Sequence, residues 1–251
     1  MAGKQADLII GNNVYAHVPD INDFTRGLKA ALKPEGTITL EFPHLMRMIE
    51  HIQFDTAYHE HYSYLSIHTV DLIFRRAGLR IYDLEELPTH GGSLRVYGCH
   101  FESNYPTSLA VSKILAEEER RGLQTLRPYR CFQAAADRIK YDLLVFLIEQ
   151  KRMGKKIAAY GAAAKGNTLL NYAGVRSDLM PFVFDAAASK QGKFMPGSHI
   201  PILPPDLLPK YQPDYLVILP WNIANEVIEQ NARLEKLGTR FVIVIPSLRV
   251  I

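Results

Sequence analysis

At 251 residues, with 47% hydrophobic and 22% charged residues, the chain has an ordinary globular composition, enough for one large domain or two medium ones. A net charge of +3 with scattered Lys and Arg argues against nucleic acid as a partner, and no apolar run approaches the ~20 residues of a membrane span. Cys99 and Cys131 are too few for a four-cysteine zinc site or a disulfide framework. With no apolar signal core at the start, they fit a reduced cytoplasmic setting, the alternative being one incidental disulfide.

In chain order, Ala6–Asn12 reads as a buried strand centred on Asp7-Leu8-Ile9-Ile10. Asp20 or Asn22 caps a helix running to about Leu32, closed by Lys33-Pro34-Glu35-Gly36. A strand follows over Thr37–Phe42, then a short helical stretch around Leu45–Ile52. Ser66 is the expected N-cap of a helix through Ala77, stopped by Gly78. Leu79–Tyr82 and Ser93–Tyr97 read as strands flanking the polar turn Pro88-Thr89-His90-Gly91-Gly92. Residues 106–153 carry helical spacing and are expected to form two connecting helices. A second alternating unit starts at Lys155, with strands over Lys156–Tyr160, Pro181–Asp185, Tyr215–Leu219 and Arg240–Ile245. Ile200–Leu203 suits a short edge strand, since proline cannot donate to a central ladder. The expected architecture is α/β, with lobes at 1–105 and 154–251 joined by helices.

The densest chemistry lies in Phe54-Asp55-Thr56-Ala57-Tyr58-His59-Glu60-His61-Tyr62-Ser63-Tyr64-Leu65-Ser66. Two histidines, a glutamate and three tyrosines within seven residues make poor core, because buried polar groups need partners. They suit proton transfer near neutral pH. The competing reading is a His- and Tyr-rich surface loop. His59 and His61, two apart on a loop, match no common metal motif, so no metal is expected. Asn13, His17 and Asp20 follow the first strand and Glu41 and His44 the next, at strand ends where ligands of open α/β sheets collect. A lone His17 or His44 is more often a capped, hydrogen-bonded structural residue, but the convergence of several such residues on strand ends favours function.

The second lobe opens with Ile157-Ala158-Ala159-Tyr160-Gly161-Ala162-Ala163-Ala164-Lys165-Gly166-Asn167-Thr168. A strand, a small-residue turn and a helix leave backbone N–H groups to meet an anion, and Lys165 adds a full charge. The pattern is neither a P-loop nor a complete G-x-G-x-x-G, and small residues there also serve packing. Asp185, at the end of the next strand, reads as a partner for a ribose hydroxyl or as a helix cap. A nicotinamide-dependent sugar reductase or epimerase is disfavoured, because Tyr160 and Lys165 are one residue too far apart for a Tyr-x-x-x-Lys pair.

Several segments in fixed order resemble one family: Asn12–Asp20, Glu41–Leu45, Phe54–Ser66, His90–Tyr97, Tyr160–Tyr172, Lys190–Pro201 and Leu219–Asn222. It is the S-adenosylmethionine-dependent C-methyltransferases of nucleotide-linked 4-keto-6-deoxysugars, and the resemblance spans about Ala6 to Ile251. It implies that residues 1–105 are the C-terminal portion of a class I methyltransferase domain and 154–251 a Rossmann-like nucleotide-sugar domain. It implies His61 as general base, with Tyr58, Glu60 and His17 around the reacting sugar. Asn13, His44, His90, Tyr160 and Asp185 are the further substrate-binding candidates. By the resemblance, the loop of Gly161, Lys165, Gly166, Asn167 and Thr168 lies near the nucleotide diphosphate. The chain starts at what corresponds to that domain's fourth strand, so a truncated form is expected, without the cofactor's glycine loop, its acid or the zinc cysteines. Its first strand would then be an apolar edge open to self-association or a partner chain. The second reading is a catalytically silent or partner-dependent nucleotide-sugar-binding module.

Overall fold

The computed structural model describes residues 5–251 and divides into two compact units. The first comprises residues up to His51 together with His59–Phe132; the second comprises Ile52–Tyr58 and Gln133–Ile251.

In the first unit, strands β1 (Ala6–Asn12), β2 (Leu32–Pro43), β3 (Leu79–Leu87) and β4 (Ser93–His100) form a sheet of order β1-β2-β4-β3. β1 and β2 are parallel; β4 runs antiparallel to β2 and β3. The helices are α1 (Ile21–Ala31), α2 (Leu45–Glu50), α3 (Ile67–Arg76), α4 (Leu109–Arg120) and the short α5 (Arg127–Arg130). The expected caps are present: Asp20 Oδ1 accepts from Asp23 N at 2.9 Å, and Ser66 Oγ accepts from Thr69 N at 3.2 Å. Satisfying an otherwise orphaned N–H is what fixes those helix starts. The expected turn at Lys33–Gly36 is instead part of β2, where the pairing to β1 slips between Ala6 and Leu8 before a regular register begins at Leu8 opposite Thr37. A bulge there lets the chain pass from α1 straight into the ladder. The core gathers Ile38, Leu40, Phe42, Val70, Phe74, Leu94 and Val96. Tyr15 is sealed inside it against Phe24, Phe42 and Phe74. Its hydroxyl meets Thr25 Oγ1 at 2.7 Å, and burial pushes its pKa up to about 12.

In the second unit, α6 (Phe132–Arg152) leads into β5 (Ile157–Tyr160), α7 (Ala164–Ala173), β6 (Val183–Phe184) and β7 (Ile202–Leu203). After the single turn α8 (Leu208–Tyr211) come β8 (Tyr215–Ile218), α9 (Ala224–Gln230), α10 (Ala232–Glu235), β9 (Arg240–Ile243) and β10 (Arg249–Val250). The sheet order is β10-β9-β8-β5-β6-β7, parallel except for the antiparallel β10, a strand the sequence did not suggest. From β5 the chain proceeds outward to β6 and β7, then returns to β8 on the other flank. The crevice between the C-terminal ends of β5 and β8 is therefore the topological switch point, where ligands of such sheets bind. No helix among the described residues is long and apolar enough to cross a membrane.

Candidate functional site

In the first unit, the polar residues named above gather at the C-terminal ends of β1 and β2. The Asn13 amide donates to the Glu41 carbonyl at 2.9 Å, and its side-chain NH₂ donates to His90 Nε2 at 2.8 Å. Asn13 and His90 both adopt left-handed backbone (φ 54° and 55°), a conformation costly for residues other than Gly. The Glu41 carboxylate accepts from Thr89 Oγ1 and Arg95 Nη2, each at 2.9 Å, tying the β3–β4 turn to the end of β2. Tyr15, anchored in the core, is followed by Ala16, whose carbonyl accepts from both Tyr62 N and Ser63 N. That latch brings the His-rich loop to the turn after β1. The result is an edge-to-face pair of imidazoles, His17 and His61, 4.8 Å between centroids at 87°. Tyr64 adds a second edge contact to His61 at 6.1 Å, and burial raises its phenol pKa. Both histidines are half-buried, so solvent and a ligand can still reach them.

Three further named residues have their own surroundings. Glu60 is exposed on the same loop. Tyr58 belongs with the second unit. His44 is 1% exposed. Its Nε2 meets Glu118 Oε1 at 2.7 Å, and the same carboxylate accepts from Ile67 N at 2.7 Å and His68 N at 3.0 Å, capping α3. His44 Nδ1 is enclosed without a partner. This geometry gives His44 a packing role, the structural alternative already open for it in the sequence. Among the described residues no group of three or more His, Cys, Asp or Glu is placed to hold a metal ion.

In the second unit, the Tyr160–Thr168 turn occupies the switch point. Gly161 adopts φ 93°, and a Cβ there would lie 2.5 Å from Pro220 Cδ. A Cβ on Gly166 would sit 2.7 Å from the Leu219 side chain, so both glycines let α7 close on the segment after β8. Asp185 is enclosed: Oδ2 accepts from Ala162 N at 2.6 Å and Lys190 Nζ at 3.2 Å, and Oδ1 from Ala187 N at 2.8 Å. It braces the loop as a cap, one of its two expected roles. Tyr160 is buried, which raises its phenol pKa. Thr168 Oγ1 bonds back to the Ala164 carbonyl at 3.2 Å, whereas Asn167 Oδ1 is enclosed without a partner.

Sequence reasoning passed over the residues that surround Lys165. Its ammonium donates to Asn222 Oδ1 at 3.0 Å and lies 4.5 Å from the Trp221 ring centroid. The Trp221 Nε1–H donates to Asp55 Oδ2 at 2.7 Å. Asp55 is 0% exposed, and its Oδ1 is enclosed without a hydrogen-bond partner. Burial pushes the Asp55 pKa up to about 6, against the lowering effects of the indole and Lys165. Burial also lowers the Lys165 pKa, opposed by Asp55. The clue available in the sequence was the single Trp221 next to Asn222, just beyond a strand end.

As for S-adenosylmethionine, β1 of the first unit ends in Gly11-Asn12-Asn13 and a single 3₁₀ turn over Tyr15–His17. A glycine-rich strand-to-helix turn of the kind that cradles an adenosine is not formed there among the described residues. The residues present do not fit that end of the cofactor.

Comparison with known proteins places these features in a family. Residues 88–246 match the model of the C-methyltransferase C-terminal domain, and residues 2–84 match a methyltransferase-domain model. The C-methyltransferase NovU of Streptomyces niveus is 36% identical over 246 residues, 98% of this chain but 59% of its own length. Among solved structures, magnesium protoporphyrin IX methyltransferase from Synechocystis PCC 6803 overlaps 39% of this chain and 47% of its own at 15% identity (TM-score 0.32). TnmH overlaps 39% and 32% at 20% identity (TM-score 0.31), and at such scores neither likeness adds an argument. On the two domain matches, the chain belongs to the C-methyltransferase family, carrying its C-terminal domain behind a stretch of methyltransferase domain.

Proposed function

We propose that this chain forms the acceptor side of a sugar C-methyltransferase acting on a nucleotide-linked 4-keto-6-deoxysugar. The observation that carries the reading is the half-buried His17–His61 pair at the C-terminal ends of β1 and β2. Carbon 3 of a 4-keto sugar is acidic because its carbanion is an enolate. His61, in its neutral form, takes the C3 proton; the bonding pair moves into the C3–C4 bond and charge builds on the C4 oxygen. His17 and Tyr64, the rings beside His61, and Tyr58 and Glu60 on its loop are the groups available to orient the sugar and to stabilise that oxyanion. Asn13 and His90, bonded to each other, hold the neighbouring turns in place. In the second unit, Lys165 and the α7 N-terminus receive the diphosphate. S-adenosylmethionine supplies the methyl group, and the described residues contribute no cradle for its adenosine.

Deuterium exchange at C3 isolates the base from methyl transfer. The chain, mixed with the keto-sugar nucleotide in heavy water, is expected to accelerate loss of the C3 proton, followed by NMR. His61→Ala should slow that exchange by roughly 10²–10⁴-fold while leaving nucleotide-sugar affinity unchanged. Exchange as fast in the variant would remove His61 as the base. Binding by the wild-type chain with no exchange at all would favour a silent binding module instead.

A further inference from the structure

The group at the second unit's switch point that the proposed reaction does not use is Asp55. Among the described residues it is the carboxylate whose charge bears on Lys165; Asp185 is already matched by Lys190 and two backbone N–H groups. A fully enclosed acid with one unpartnered oxygen is expensive to retain, since desolvation of a charge is offset only by good partners. What it holds is specific. One oxygen fixes the edge of the Trp221 indole, and the face of the same ring carries the Lys165 ammonium. Lys165 is thereby kept beside the Gly161–Thr168 turn with Asn222 as its hydrogen-bond acceptor.

We propose that Asp55 is the positioning residue of an anion subsite: it sets Trp221 and Lys165 across the β5–β8 crevice and governs how much of the lysine's charge remains for the diphosphate of a sugar nucleotide. The inference rests on the reading of this loop as the diphosphate side of the substrate. An ionised Asp55 opposes an incoming anion in a poorly solvated site, whereas a protonated one leaves Lys165 unopposed. Among the described residues, the groups that bear on Asp55 are the Trp221 indole after β8, Lys165 on α7 and its own backbone N–H. Anion affinity should therefore rise as Asp55 takes up its proton. A sugar nucleotide is the right probe, because each of its phosphates carries one ester and one anhydride bond, leaving a single strongly acidic oxygen whose charge is constant through this pH range.

Thymidine diphosphoglucose binding by the 251-residue chain, measured calorimetrically, is expected to tighten roughly three- to tenfold from a pH of about 7.5 to about 5.5. Asp55→Asn keeps an acceptor for the indole but removes the charge. It should bind as tightly near neutral pH as the wild type does in acid, with a flat pH profile; Lys165→Met should lose affinity at both pH values. In parallel, acylation of Lys165 read by mass spectrometry reports its own proton affinity without any ligand. Loss of the carboxylate should make that amine titrate lower and react faster. An unchanged Lys165 titration, or an Asp55→Asn profile that still follows the wild type, would overturn the assignment of Asp55. If the acylation shift occurs but the wild-type chain binds no sugar nucleotide at either pH, the diphosphate reading of the loop falls, and the subsite with it. Should Asp55→Asn fail to fold, a pH-independent wild-type affinity would overturn the proposal by itself.

Discussion

Asp55 and Glu118 are both enclosed acids, but they have different partners. Glu118 has three donors, two of them backbone N–H groups at the start of α3. Asp55 has the indole N–H on one oxygen and nothing on the other, and its pKa is pushed up to about 6. An unfolded aspartate titrates near ~4, so the folded protein holds this proton more tightly than the unfolded chain does. That stabilisation is fully present below the unfolded value and is lost as pH rises through about 6. Urea unfolding across this range should show the wild type losing up to about 3 kcal/mol relative to Asp55→Asn. Parallel stability profiles for the two proteins would refute it. No local feature reveals this role: Trp221 lies 166 positions further along, and in the sequence Asp55 is one polar residue among many. The histidines were legible because two imidazoles, a carboxylate and phenols on one loop are chemically unusual wherever they fold.

The elements themselves were easier to read, and for a physical reason. Caps at Asp20 and Ser66, the stop at Gly78 and the apolar runs of β5, β8 and β9 are decided by neighbours a few residues away. What escaped was decided by pairing at a distance. β2 begins at Leu32 rather than Thr37 because β1 is there to take the bulge, and β10 exists because β9 offers it an edge. The His44–Glu118 contact belongs to the same class, joining the end of β2 to α4 and α4 to the start of α3. Glu118→Ala would strand His44 and uncap two backbone N–H groups inside the core. It is expected to cost about 3–5 kcal/mol in chemical denaturation. A loss below about 1 kcal/mol would mean the pair contributes no more than a surface contact.

At the scale of the molecule, β1 is an edge strand of the first sheet among the described residues, with Leu8 52% and Ile10 64% exposed. Apolar side chains beside unpaired backbone groups invite another strand. The 251-residue chain is expected to self-associate with rising concentration in sedimentation velocity, and Ile10→Lys to shift it toward monomer. A wild type that stays monomeric throughout would show the edge to be protected. The division of the chain carries a different consequence. Residues 52–58 pack with the second unit, although the family's C-terminal domain match begins only at residue 88. The unit is thus discontinuous in sequence, and its physical border is not the border that family matching draws. A fragment started at residue 88 would carry Trp221 and Lys165 without the acid between them, leaving an indole N–H with no acceptor and an ammonium with no counter-charge. Gene fusions or domain exchanges cut at that border would remove part of the switch-point site while appearing to keep the whole domain.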